Sequence, residues 1–230
     1  MVVFGYGALG ALRKLSLALI FINLVSAAHA EDITIAALGD SLTQGYGLVP
    51  DQGLVPQLTR WLEDHGVEDV QILNAGVSGD TTAGGLSRVG WTLTPDVDAM
   101  IVTLGGNDVL RGIEPSVSKA NLAGILDAAE SANVDVLLIG MTAPGNYGPA
   151  YKDAFDAMYG ELAAQYEALY MPDFFGGITG AGAGAGGEIT PALAADFLQA
   201  DGIHPNSAGV RNIVATIGPE VVKLIEQVRD

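Results

Sequence analysis

The chain of 230 residues carries 27 acidic and 10 basic side chains, a formal charge of −17, 31 glycines and no cysteine. That length suits one domain, or two at most, and an apolar share of 49% beside 16% charged residues excludes an intrinsically disordered chain. The acidic balance disfavours nucleic acid and anionic lipid surfaces as partners, and the lack of cysteine excludes disulfides, thiolate metal sites, iron–sulfur clusters and cysteine nucleophiles together.

Residues 1–30 contain no acid; Arg13 and Lys14 precede an apolar run over 15–25, and Ala28-His29-Ala30 follows. This is the layout of a secretory signal peptide with a small-x-small cleavage triplet, and the run is shorter than the about 20 residues a bilayer-spanning helix needs. The expectation is cleavage after Ala30, a single domain over 31–230, a periplasmic or secreted location and no stable membrane insertion; a retained N-terminal anchor is the alternative. Cleavage removes two basic groups and no acidic one, which moves the charge from −17 to −19. It also leaves two histidines, His65 and His204.

Beyond this segment, short apolar runs alternate with stretches of helical spacing. The first run, 33–38, enters Gly39-Asp40-Ser41-Leu42-Thr43-Gln44-Gly45, which displays the Ser41 hydroxyl in a glycine-flanked turn at a strand's carboxyl end. Such a serine is a candidate nucleophile and equally a helix N-cap. Leu54, Leu58 and Leu62 follow at helical spacing, and that helix stops at His65-Gly66, where an imidazole complements the helix C-terminus; His65 is read as a surface cap. A second run, 70–73, leads to Ser78-Gly79-Asp80-Thr81, in which the Gly79 N–H is a candidate donor while Asp80 and Thr81 are read as helix caps. Leu86, Val89 and Leu93 mark the next helix. The third run, 100–104, ends in Gly105-Gly106-Asn107-Asp108, where Asn107 can present an amide donor and the glycines let a substrate approach the backbone.

A helix over 117–129, a fourth run over 134–139, a helix over 151–166 and a weaker run over 168–171 complete the alternation. Residues 176–187, with Gly and Ala alternating over 180–186, are too glycine-rich for helix or strand and are read as a mobile surface loop, either a lid or a tolerated insertion. Asp201-Gly202-Ile203-His204-Pro205 then precedes a last helix over 207–228. An acid three residues before a histidine can accept the Nδ1 proton and leave Nε2 free as a general base, although a turn-stabilising pair has the same spacing. Apolar strands buried on both faces and alternating with helices predict a doubly wound parallel α/β sheet, whose ligands bind at the carboxyl ends of the strands.

Gly39-Asp40-Ser41-Leu42, Gly79 in its Ser-Gly-Asp-Thr turn, Gly-Gly-Asn107-Asp108 and Asp201-x-x-His204-Pro resemble, in order, the four blocks of the GDSL or Ser-Gly-Asn-His hydrolase superfamily. The similarity spans essentially the whole mature chain and is strongest to bacterial periplasmic esterases that act as thioesterase, lysophospholipase and arylesterase. The resemblance implies a three-layer α/β/α sandwich with a five-stranded parallel sheet. It implies Ser41 as nucleophile, His204 as general base and then acid, and Asp201 as its orienting partner. An oxyanion hole of the Ser41 and Gly79 N–H groups and the Asn107 amide follows, with Asp108, Val109, Leu110 and Arg111 as a substrate-responsive wall. The implied substrate is a small-molecule or lipid ester or thioester, with no metal and no cofactor; carbohydrate O-deacetylation is the alternative, and Arg88 or Arg111 could meet a CoA moiety.

Other classes fit less well. A two-metal phosphoesterase needs more histidines than two, and neither a P-loop nor G-x-G-x-x-G follows the first strand. A non-catalytic exported binding domain would not require Ser41, Asn107 and His204 at separate strand ends.

Overall fold

The computed structural model describes Met1 and residues 32–180 and 189–230. The expected signal segment and most of the Gly-Ala run lie outside the described residues.

In chain order, β1 (Ile33–Gly39) leads into the short α1 (Ser41–Gln44) and then α2 (Leu54–Asp64); β2 (Val70–Gly76) into α3 (Thr82–Thr92); and β3 (Ala99–Thr103) into α4 (Gly106–Leu110) and α5 (Pro115–Ala132). β4 (Asp135–Ile139) is followed by α6 (Pro149–Gln165), and β5 (Leu169–Met171) by α7 (Gly176–Thr179), α8 (Pro191–Phe197) and α9 (Ser207–Arg229). The five strands form one sheet in the order β2-β1-β3-β4-β5, every pair parallel. Helices α2 and α9 pack together against it, and α3, α5 and α6 form the second helical layer, which gives the expected α/β/α sandwich. Strand order reverses between β1 and β3, so the crevice for a ligand in a doubly wound sheet falls between their carboxyl ends.

Burial along the strands follows from that order. β1, β3 and β4 are almost wholly buried, with Ile35, Leu38, Met100, Val102, Leu137 and Leu138 inaccessible to solvent. β2 departs from the expectation of a strand covered on both faces: it is an edge strand, and Gln71, Leu73 and Asn74 are exposed along it. The apolar run 70–73 therefore marked a strand correctly but not its place in the sheet.

The last helix shows which local effect wins. Pro219 lies inside α9 without ending it, although an internal proline costs about 3 kcal/mol. Val210, Ile213, Val214, Ile217, Val221, Leu224 and Ile225 are buried on both sides of it, and at about 1.5–3 kcal/mol per buried side chain their burial outweighs that cost several times over. Gly218 in the same helix makes a close approach possible, since a β-carbon there would strike the Trp61 ring of α2. The described start of the glycine-rich stretch, residues 176–180, differs from the expected loop. Gly176–Thr179 is helical with Gly176 and Ile178 buried, and Gly177 lies against the Asn212 backbone of α9, where a side chain would not fit. Among the described residues no helix is long and apolar enough to cross a membrane.

Candidate active site

At the carboxyl end of β1 the chain turns directly into α1. Asp40, not Ser41, is the N-cap: its Oδ1 accepts from the Leu42 N–H at 2.9 Å. Ser41 is thereby the first residue of a helix, and Gly45 closes α1 in the left-handed conformation at φ 88°.

The histidine comes from the opposite end of the sequence. His204 Nε2 lies 2.8 Å from Ser41 Oγ, and His204 Nδ1 lies 2.7 Å from Asp201 Oδ2. The second carboxylate oxygen, Oδ1, accepts from the Ile203 and His204 backbone N–H groups at 2.9 and 3.0 Å. Those bonds favour the charged form, the Ile203 N–H foremost and the imidazole next, and hold the Asp201 carboxyl down to about 2. The loop carrying the pair is fastened on both sides. Gln199 donates from Nε2 to the carbonyls of Tyr46 and Pro205, Asn206 caps α9 through Ala208 and Gly209, and the Tyr46 ring lies 4.7 Å from the imidazole. Gln199 and Tyr46 carry no motif signal, because their function is to hold a distant turn.

Asn107 enters from α4, after β3. Its Nδ2 donates to Asp40 Oδ2 at 3.1 Å, which fixes the side-chain amide and leaves one of its two N–H groups uncommitted. Asp40 is 1% exposed, and burial pushes its carboxyl up to about 6 against the lowering effects of Leu42 N–H, Asn107 and His204. Gly79 sits after β2 with φ 85°, a conformation a side chain would strain. Ser41, Gly79, Asn107 and His204 line one cavity of about 870 Å³.

The expected substrate wall divides. Val109 and Leu110 line the cavity and Asp108 does not. Asp108 is fully buried and accepts from the Thr82 N–H (2.8 Å), Thr82 Oγ1 (2.6 Å) and Ser118 Oγ (2.8 Å), fastening α4 to α3 and α5. Arg111 donates to the Gly79 carbonyl at 2.8 Å, bracing the turn rather than lining the cavity. Arg88 is committed to Asp80, Ala75 O and Gly39 O, so it is a strut and not a free cation, and Asp80 is its ion-pair partner rather than a cap. Thr81 caps α3 as expected, and His65 ends α2 with its Nδ1 2.6 Å from the Trp61 carbonyl. Residues after β4, on α6 and after β5 complete the cavity without having been foreseen: Met141, Ala143 and Pro144, then Lys152 and Phe155, then Asp173 and Phe175.

The model of the GDSL-like lipase/acylhydrolase family matches residues 37–211. The chain is 37% identical over 210 residues to "Esterase TesA" of Pseudomonas aeruginosa, covering 91% of this chain and 96% of that one. It is 34% identical over 188 residues to "Thioesterase 1/protease 1/lysophospholipase L1" of Escherichia coli K12, covering 81% and 82%. Among solved structures, AlinE4, described as an SGNH-hydrolase family esterase, superposes with a TM-score of 0.66 at 39% identity, covering 84% of this chain and 96% of that one.

Proposed function

The chain belongs to the GDSL-like lipase/acylhydrolase family and is a serine esterase of that type, and on that premise we propose that Ser41 is its nucleophile, His204 its general base and Asp201 the group that orients the imidazole. The observation that carries this reading is the continuous hydrogen-bonded chain Asp201 Oδ2, His204 Nδ1, His204 Nε2, Ser41 Oγ, with links of 2.7 and 2.8 Å. With the Nδ1 proton donated to Asp201, the Nε2 lone pair accepts the Ser41 hydroxyl proton as Oγ adds to the ester carbonyl. The negative charge that develops on the carbonyl oxygen is received by the Ser41 and Gly79 N–H groups and by the Asn107 N–H not taken by Asp40. Collapse of this intermediate expels the alcohol or thiol, which takes the proton from Nε2, and leaves an acyl-Ser41. Water then gives a proton to Nε2 and adds to the acyl carbon; the acid departs and Oγ regains its proton.

A cavity of about 870 Å³ with apolar walls from Val109, Leu110, Met141, Phe155 and Phe175 supports chain-bearing acyl, aryl or thioester substrates rather than acetyl groups on a carbohydrate. The names of the relatives, esterase, thioesterase and lysophospholipase, agree with that range. Residues 1–30 act in this reading as a cleaved secretion signal, so that the mature enzyme of residues 31–230 works in the periplasm or outside the cell; mass spectrometry of the exported protein should find Glu31 at its N-terminus.

Wild-type protein should release p-nitrophenol from medium-chain p-nitrophenyl esters. Ser41→Ala and His204→Ala should each lose on the order of 10⁴-fold in kcat or more with an unchanged circular dichroism spectrum. Equal hydrolysis by wild type and Ser41→Ala would refute the assignment.

A further inference from the structure

The cavity beside Ser41 has a second polar end that ester hydrolysis leaves unused. Gly39 pairs with Thr103, Val102 with Leu138, and Ile139 with Met171. Ser41 and Asp173 each follow two residues after the ends of β1 and β5, at the same carboxyl edge of the sheet. Neighbouring strands lie about 4.8 Å apart and three spacings separate β1 from β5, so those two strand ends stand roughly 14 Å apart. Met141, Ala143 and Phe155 line the stretch between with apolar surface.

Asp173 is 2% exposed and lines the cavity together with Lys152. Its Oδ1 accepts from the Phe175 N–H at 3.2 Å, while Oδ2 has no hydrogen bond among the described residues. Lys152 does not meet it: two of the three ammonium protons go to Ala143 O and Asp156 Oδ2, both at 2.7 Å. Burial raises the Asp173 carboxyl above its ordinary range, and neighbouring Asp156 adds to the rise while Lys152 opposes it. Among the described residues Oδ2 is thus left as an acceptor available to a group in the cavity. The surroundings select that ligand. A cationic group would meet Lys152, and an anionic one would meet Asp173 and Asp156. A neutral hydroxyl can donate to Asp173 Oδ2 and still accept from the remaining Lys152 proton.

We infer that Asp173, with Lys152, is a specificity subsite for a hydroxyl group of the substrate, so that the enzyme favours esters whose chain carries a hydroxyl roughly a dozen bonds from the scissile carbonyl, at about 1.2 Å of extension per bond. This rests on the assignment of Ser41 as nucleophile. The test compares kcat/KM of the full chain in two matched pairs: p-nitrophenyl dodecanoate against p-nitrophenyl 12-hydroxydodecanoate, which puts the hydroxyl on the acyl side, and decyl acetate against 10-hydroxydecyl acetate, which puts it on the alcohol side. Wild type should prefer the hydroxylated member of one pair about tenfold or more. Asp173→Leu should abolish that preference and raise activity on the plain ester. Asp173→Asn, which keeps the shape and the Phe175 cap, should lose most of the preference and serves if the leucine variant does not fold. Equal rates within both pairs for wild type, or a preference unchanged in the folded Asp173 variants, overturns the subsite. Hydrolysis by Ser41→Ala would instead overturn the nucleophile on which it rests.

Discussion

Replacing Asp40 by asparagine should flatten part of the pH dependence of stability and slow the enzyme at the same time. The carboxyl is 1% exposed, and burial lifts it from 3.8 to about 6. Between those values the folded chain keeps a proton that the unfolded chain has released, so the unfolding free energy falls as pH rises through the window, and the loss is complete above about 6. A rise of about 2 units at 1.36 kcal/mol each amounts to about 3 kcal/mol. Asparagine stays neutral throughout and removes this contribution, while every other titrating group is common to both proteins and cancels in the difference. Urea unfolding followed by circular dichroism at steps between about pH 4 and 7.5 should show the wild-type minus variant free energy dropping by about 3 kcal/mol across the window. Parallel curves would refute the reasoning. The kinetic side follows from the contact to Asn107 Nδ2 at 3.1 Å. A neutral amide cannot hold that N–H as the carboxylate does, so kcat at pH 7.5 should fall about tenfold with KM little changed. The charge of Asp40 thus destabilises the fold while it orients an oxyanion donor.

Asp108→Ala strands the Thr82 N–H, Thr82 hydroxyl and Ser118 hydroxyl in the interior, so it should cost about 3 kcal/mol and lower Tm by roughly 10 °C, with KM for a p-nitrophenyl ester within twofold of wild type; a large rise in KM with unchanged Tm would restore Asp108 to the substrate wall. Gly105→Ala should destabilise by about 3 kcal/mol in urea, because Gly105 adopts φ 123° and a β-carbon would press the Tyr159 hydroxyl off the Leu104 carbonyl. The Asp201 carboxylate, held down to about 2, supports the fold above about pH 4 and loses that effect only as pH falls from about 4 to 2. Asp201→Asn should lower kcat at pH 7.5 by about three to four orders of magnitude with an unchanged circular dichroism spectrum; a kcat within tenfold of wild type would refute its orienting role.

The fold was legible because the central strands are nearly continuous apolar runs, and each of Ser41, Gly79 and Asn107 follows a strand end within a few residues. Once the strand order places β1 between β2 and β3, those three residues converge at a single edge. Part of what failed to be legible comes from the direction in which a side chain points. Residues 107–110 are consecutive on α4, and successive helical residues turn by about 100°; Asn107, Val109 and Leu110 consequently reach the cavity while Asp108 turns into the interior. A wall drawn as an unbroken stretch of sequence could not anticipate that. Arg88 is held for another reason, by Asp80 and by the Gly39 and Ala75 carbonyls, while Arg111 donates to the Gly79 carbonyl outside the cavity lining. Asp173 and Lys152 gave no sequence signal because their relation to Ser41 exists only through strand register across β3, β4 and β5. The chemistry of hydrolysis is written in short motifs at strand ends, whereas the surface that would select among esters is assembled by the sheet from residues more than a hundred positions away.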